Sequence, residues 1–92
     1  MRILIATSCI PQAGKSEVLL NMFRDFAKEQ NVSIPPGILW THGPGCSNLA
    51  MDVIGEDEAA ESFANRLTMA LMPSKWATTS DALPEVDTVE NF

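Results

Sequence analysis

Residues equipped for chemistry gather between positions 40 and 52 of this 92-residue chain: Trp40, His42, Cys46, Asn48 and Asp52. His42 is the only histidine, and an imidazole with an ordinary pKa of about 6.5 is the side chain that exchanges a proton near neutral pH. His42 is therefore the candidate catalytic residue, as a general base. Trp40 would give a ligand a flat apolar wall, His42 and Asn48 would orient it, Asp52 is a further candidate ligand-binding residue, and Cys46 would add a thiol that a neighbouring base can activate. Each also has a plainer reading. A histidine at a hairpin tip is commonly a solvated turn residue, and most free cysteines pack as small hydrophobes. One histidine, two cysteines far apart in sequence and Asp52 have no metal-ligand spacing, so neither a metal nor a cofactor is expected.

These residues flank Gly43-Pro44-Gly45, which reads as the turn of a hairpin between two strands of alternating polarity. If the hairpin pivots on Pro44, His42 pairs with Cys46, Trp40 with Asn48 and Ile38 with Ala50. Those residues and Asp52 would then share one open face, while Leu39, Leu49, Met51 and Val53 lie under helices.

The rest of the chain supplies the frame. Met1 to Cys9 reads as a first strand, too short and without the basic region of a signal peptide, which makes the cytoplasm the default location. Leu19, Met22, Phe23, Phe26 and Ala27 form an apolar stripe on a helix from Gly14 to Glu29. Pro35 and Pro36 forbid helix before the hairpin. A second helix from Asp57 to Leu71, with Asp57 as its cap, carries Ala60, Phe63, Ala64, Leu67, Ala70 and Leu71, and residues 74–80 read as a last strand. This order predicts a ferredoxin-like βαββαβ fold of class α+β: a four-stranded antiparallel sheet with two helices on one face, in a domain of residues 1–80. Residues 81–92 are acidic and broken by Pro84. They read as a tail outside the folded unit, whose Val86, Val89 and Phe92 could dock on a partner subunit.

Composition narrows the partners. The net charge is −6, with six basic residues scattered along the chain, so no basic patch exists for nucleic acid. No apolar run approaches the roughly 18 residues of a membrane span. An open face holding Trp40 and Ile38 calls for cover by a second copy or a ligand.

The element order resembles the dimeric α+β barrel superfamily. Pro35-Pro36-Gly37, Trp40 with His42, Gly43 and Gly45, the stretch Met51 to Asp57 and the acidic end resemble a family of short bacterial proteins carrying a domain of unknown function. Thr41 departs from that family's adjacent Trp-His pair. The resemblance implies this fold and a homodimer, and the reading that goes with it is a small, largely apolar organic ligand bound in the barrel or a sheet–helix cleft at Trp40 and His42. If the protein is an enzyme, the chemistry implied is cofactor-free and oxygenase- or isomerase-like. A structural or protein-interaction module is the alternative. Residues Cys9 to Ser16 offer a third reading, because Gly14-Lys15-Ser16 matches the end of a phosphate-binding loop, although Cys9 replaces its first glycine and Pro11 removes one N–H.

Overall fold

Ile3, Ile5 and Thr7 alternate with Leu4 and Ala6 along the first strand, and the first three are buried. That alternation divides the molecule into a covered and an uncovered side of one sheet. The computed structural model describes residues 1–8 and 14–91. The elements run β1 (Arg2–Thr7), α1 (Ser16–Glu29), β2 (Leu39–Gly43), β3 (Cys46–Asp52), α2 (Asp57–Ala70), β4 (Ser74–Thr78) and β5 (Thr88–Asn91). The sheet order is β4-β1-β3-β2-β5. The first four strands pair antiparallel, whereas β5 runs parallel to β2.

Two expectations change here. The sheet has five strands and is mixed, not four-stranded and antiparallel. The fifth comes from the acidic segment read as a tail. Thr88 N–H donates to Ile38 C=O, and the strand closes the free edge of β2. An edge strand left bare would present unpaired backbone groups, and β5 satisfies them.

The hairpin register also differs by one residue. Pro44 and Gly45 together make the turn, with Gly43 opposite Cys46, His42 opposite Ser47 and Trp40 opposite Leu49. Pro at the first turn position and Gly45 at φ +74° at the second follow the type II pattern, where only glycine takes positive φ without strain. Because side chains alternate with period two, this shift carries the whole of β2 to the other face relative to β3. Leu49, Met51 and Val53 lie under the helices as expected, but Ile38, Trp40 and His42 join them there. Cys46, Asn48, Ala50 and Asp52 remain outside, now beside Leu39 and Thr41.

Both helices press on the covered face. Leu20, Phe23 and Ala27 of α1 and Ala60, Phe63, Ala64 and Leu67 of α2 form one core with Ile3, Ile5, Trp40, Leu49 and Met51. The α1 stripe is rotated slightly from the sequence reading, so Leu20 is buried and Met22 is exposed. At α2, Glu56 holds the cap position in extended geometry, and Asp57 is the first helical residue. The Trp40 ring lies 5.6 Å from that of Phe23, centroid to centroid. A buried indole of this kind stabilises the fold by several kcal/mol, on the order of 3–5 by truncation.

Candidate functional site: a polar row at one end of the sheet

The covered face is built in transverse rows set by strand register. Trp76, Ile5, Leu49 and Trp40 make one apolar row, and Ile3 and Met51 lie in the next, with Thr78 at its exposed edge. The row at the end where β1 terminates is different. Ser74, Thr7, Ser47 and His42 stand side by side on β4, β1, β3 and β2. Thr7, Ser47 and His42 are all buried. Burying a polar group is costly unless it finds a partner, so the bonding of each member is informative.

Three members have partners. Thr7 Oγ1 donates to Leu71 C=O at 2.6 Å, and Ser74 Oγ donates to Thr68 C=O at 2.5 Å. Ser47 Oγ accepts the Trp40 indole N–H at 3.2 Å. His42 is the exception. The residue is 7% exposed, and neither ring nitrogen has a hydrogen-bond partner among the described residues. It packs on Trp40 with ring centroids 5.1 Å apart. Burial lowers its pKa below the usual 6.5, because the charged imidazolium is poorly solvated there. The ring is therefore neutral at pH 7, with one nitrogen ready to donate and the other to accept.

A cleft of about 370 Å³ opens at the same end of the sheet. It is lined by Thr7, Ser47 and Ser74 of the polar row, by Ala6, Cys46, Asn48 and Lys75, whose positions alternate with them along the strands, and by Ser8 and Pro73. The cleft reaches Ser47, the residue opposite His42.

The structure redistributes the five residues singled out from sequence. Trp40 has no exposed surface, so it offers no open ring face to a ligand and its role is packing. Cys46 and Asn48 line the cleft but face away from His42, so the expected His42–Cys46 neighbourhood does not form. Asp52 lies at the opposite end of β3. There its carboxylate accepts from Arg2 Nε at 2.7 Å and Nη2 at 3.1 Å, and the guanidinium lowers its pKa. Sequence reasoning missed Thr7, Ser47, Ser74 and Lys75. Nothing marks them individually, and only the register aligns them. Gly14, at φ +81°, and Lys15 lead into Ser16 at the start of α1, whereas Cys9 and Pro11 of the phosphate-loop reading lie outside the described residues. No group of three metal-ligating side chains occurs among the described residues. No helix among them is long and apolar enough to cross a membrane.

No family model matches the chain, and no curated protein matches it in sequence. Solved structures match its fold. A bacterial light-regulated adenylyl cyclase aligns at a TM-score of 0.54 and 9% identity over 98% of this chain, which spans 27% of that protein. The acylphosphatase from Bacillus subtilis aligns at a TM-score of 0.51 and 8% identity, over 99% of this chain and 97% of that one. At such identities the likeness establishes a ferredoxin-like α+β fold and nothing of activity.

Proposed function

We propose that this protein binds a small molecule at the polar end of its sheet and that His42 is the group the ligand meets. One observation supports the reading above the others: a neutral imidazole held in the core with both nitrogens unpartnered among the described residues. A fold that kept such a ring only for packing would be better served by an apolar side chain of similar size. A bound hydroxyl, enol or amide would satisfy the nitrogen that it reaches, as donor to the bare one or acceptor from the protonated one. If the protein turns its ligand over, His42 is the general base of a cofactor-free proton transfer. The expected ligand moves accordingly from a largely apolar one against Trp40 to one with a polar head.

The test is a screen of small phenols and hydroxy acids followed through the His42 ring resonances. Binding should move those resonances and should be lost in His42→Ala. A ligand that binds equally well to both proteins overturns the assignment.

The homodimer has a separate support. Leu4, Ala50 and Leu39 form a short apolar strip across the uncovered face of β1, β3 and β2, where Trp40 and Ile38 had been expected. Pairing of two sheets through this strip is the reading it favours. Sedimentation of Leu4→Glu against the parent chain checks it, since the substitution should yield monomers, and an unchanged mass rules the strip out.

A further inference from the structure

The chemical class of the ligand can be taken further from the open side of the same cleft. Register places Lys75, Ala6 and Asn48 in one transverse row, with Ala6 paired to both neighbours. Adjacent strands lie about 4.8 Å apart, so Lys75 and Asn48 stand roughly 10 Å from each other across the methyl group of Ala6. The small side chain leaves a floor between two tall walls. Ser8 stands at the rim, and its backbone N–H is bound to Pro73 C=O.

The groups around this floor have one electrostatic sense. Among the described lining residues there is a lysine and no carboxylate, although the chain has twelve acids and six bases. Thr7 and Ser74 commit their hydroxyl protons to the carbonyls of Leu71 and Thr68, which fixes the inner wall. Lys75, Asn48 and Ser8 also line the cleft; the Lys75 ammonium is a donor only, and the Asn48 amide and Ser8 hydroxyl can donate beside it. Three kinds of donor around a small floor, without an acid among them, suit an anion and repel a cation. A volume of about 370 Å³ is at the small end of ligand sites.

We propose that the cleft takes a compact oxyanion, the carboxylate or phosphate group of a small molecule, seated over Ala6 between Lys75 and Asn48. The proposal rests on the preceding reading for the place of the site, and it needs no contribution from His42.

Amide resonances of the whole protein are followed while inorganic phosphate and acetate are added in separate arms, against sodium chloride at matched ionic strength. In about 0.15 M salt the Debye length is roughly 8 Å, which screens distant acids but leaves direct contact with Lys75. Saturable shifts at Ala6, Ser8, Asn48 and Lys75 are expected in at least one arm, and the responding arm identifies the anion. Lys75→Gln should weaken that binding about tenfold, the worth of one charge-assisted hydrogen bond. Ala6→Leu should abolish it by filling the floor while leaving every donor in place. Shifts no larger than those with chloride in both arms overturn the proposal, and so does binding that survives both substitutions.

The His42 ring signals, read in the same titration, separate this inference from the reading beneath it. Cleft shifts with a silent His42 uphold the anion site and leave His42 to be judged by the phenol screen alone. His42-dependent binding of neutral phenols, with no response to either anion, overturns the anion and leaves His42 standing.

Discussion

Two polar centres sit within this fold, and they are opposites in how their hydrogen bonds are met. Around Asp87 the partners are in place. Arg24 donates to both carboxylate oxygens at 2.6 and 2.9 Å and also to the carbonyls of Ile34 and Pro35, while the N–H groups of Gly37 and Ile38 donate to Asp87 Oδ1. At His42 two nitrogens meet no partner among the described residues. The first centre fastens the C-terminal segment to α1 and β2, and its satisfaction is the mark of a structural role. The second carries an open hydrogen-bonding capacity that packing does not explain, and that capacity is the ground of the proposed ligand role.

Substitutions that break this contrast should do so with opposite signs. The largest effect is expected at Gly37, whose φ of +120° excludes other residues and whose added Cβ would lie 2.5 Å from the carbonyl oxygen of Pro84. Gly37→Ala should cost about 2–4 kcal/mol in urea unfolding, and the Thr88 amide should lose its protection from hydrogen exchange. Retained protection would mean that β5 is held by something other than this contact. Arg24→Ala should cost about 2 kcal/mol, a value kept modest because the pair is partly open to solvent.

His42→Leu should instead stabilise the protein, by about 1 kcal/mol, since it removes an unsatisfied polar ring from the core. A loss of stability would show that the imidazole has an unseen bond. A further signal is in pH. His42 has a folded pKa below its unfolded value, so the unfolded chain takes up the proton first and stability declines as pH falls below about 6.5. This decline should be absent in His42→Leu. Asp87 behaves as a depressed acid: hydrogen bonding to Arg24, aided by the Gly37 and Ile38 amides, pulls it from 3.8 to about 2. Its contribution is complete above pH 3.8 and is lost as pH falls through about 2, so Asp87→Asn should flatten the acid end of the profile.

The order of elements was legible because Leu49, Met51 and Val53, the two helical stripes and the prolines at 35 and 36 each admit one local reading. The sidedness of β2 was not. Ile38, Trp40 and His42 compete with Leu39 and Thr41 for the covered face, and Gly43-Pro44-Gly45 is symmetrical enough to turn on one residue or two. Polarity alone cannot decide such a strand, and the turn geometry does. The fifth strand was hidden because its anchor, the Arg24–Asp87 pair, joins residues 63 positions apart. Thr88-Val89 at the head of that segment was the available β signal, outweighed by its charge and Pro84. His42 and the cleft residues Cys46 and Asn48 were legible by residue type, yet the alignment of Thr7, Ser47 and Ser74 beside His42 exists only once four strands are in register.

Nitrogen-15 resonances of the His42 imidazole in the ligand-free protein at pH 7.5 report directly on whether the ring is neutral and unpartnered in the core. One protonated and one bare nitrogen are expected, neither showing hydrogen-bond coupling to another residue. An imidazolium signature at that pH, or coupling from either nitrogen to a protein partner, would contradict it.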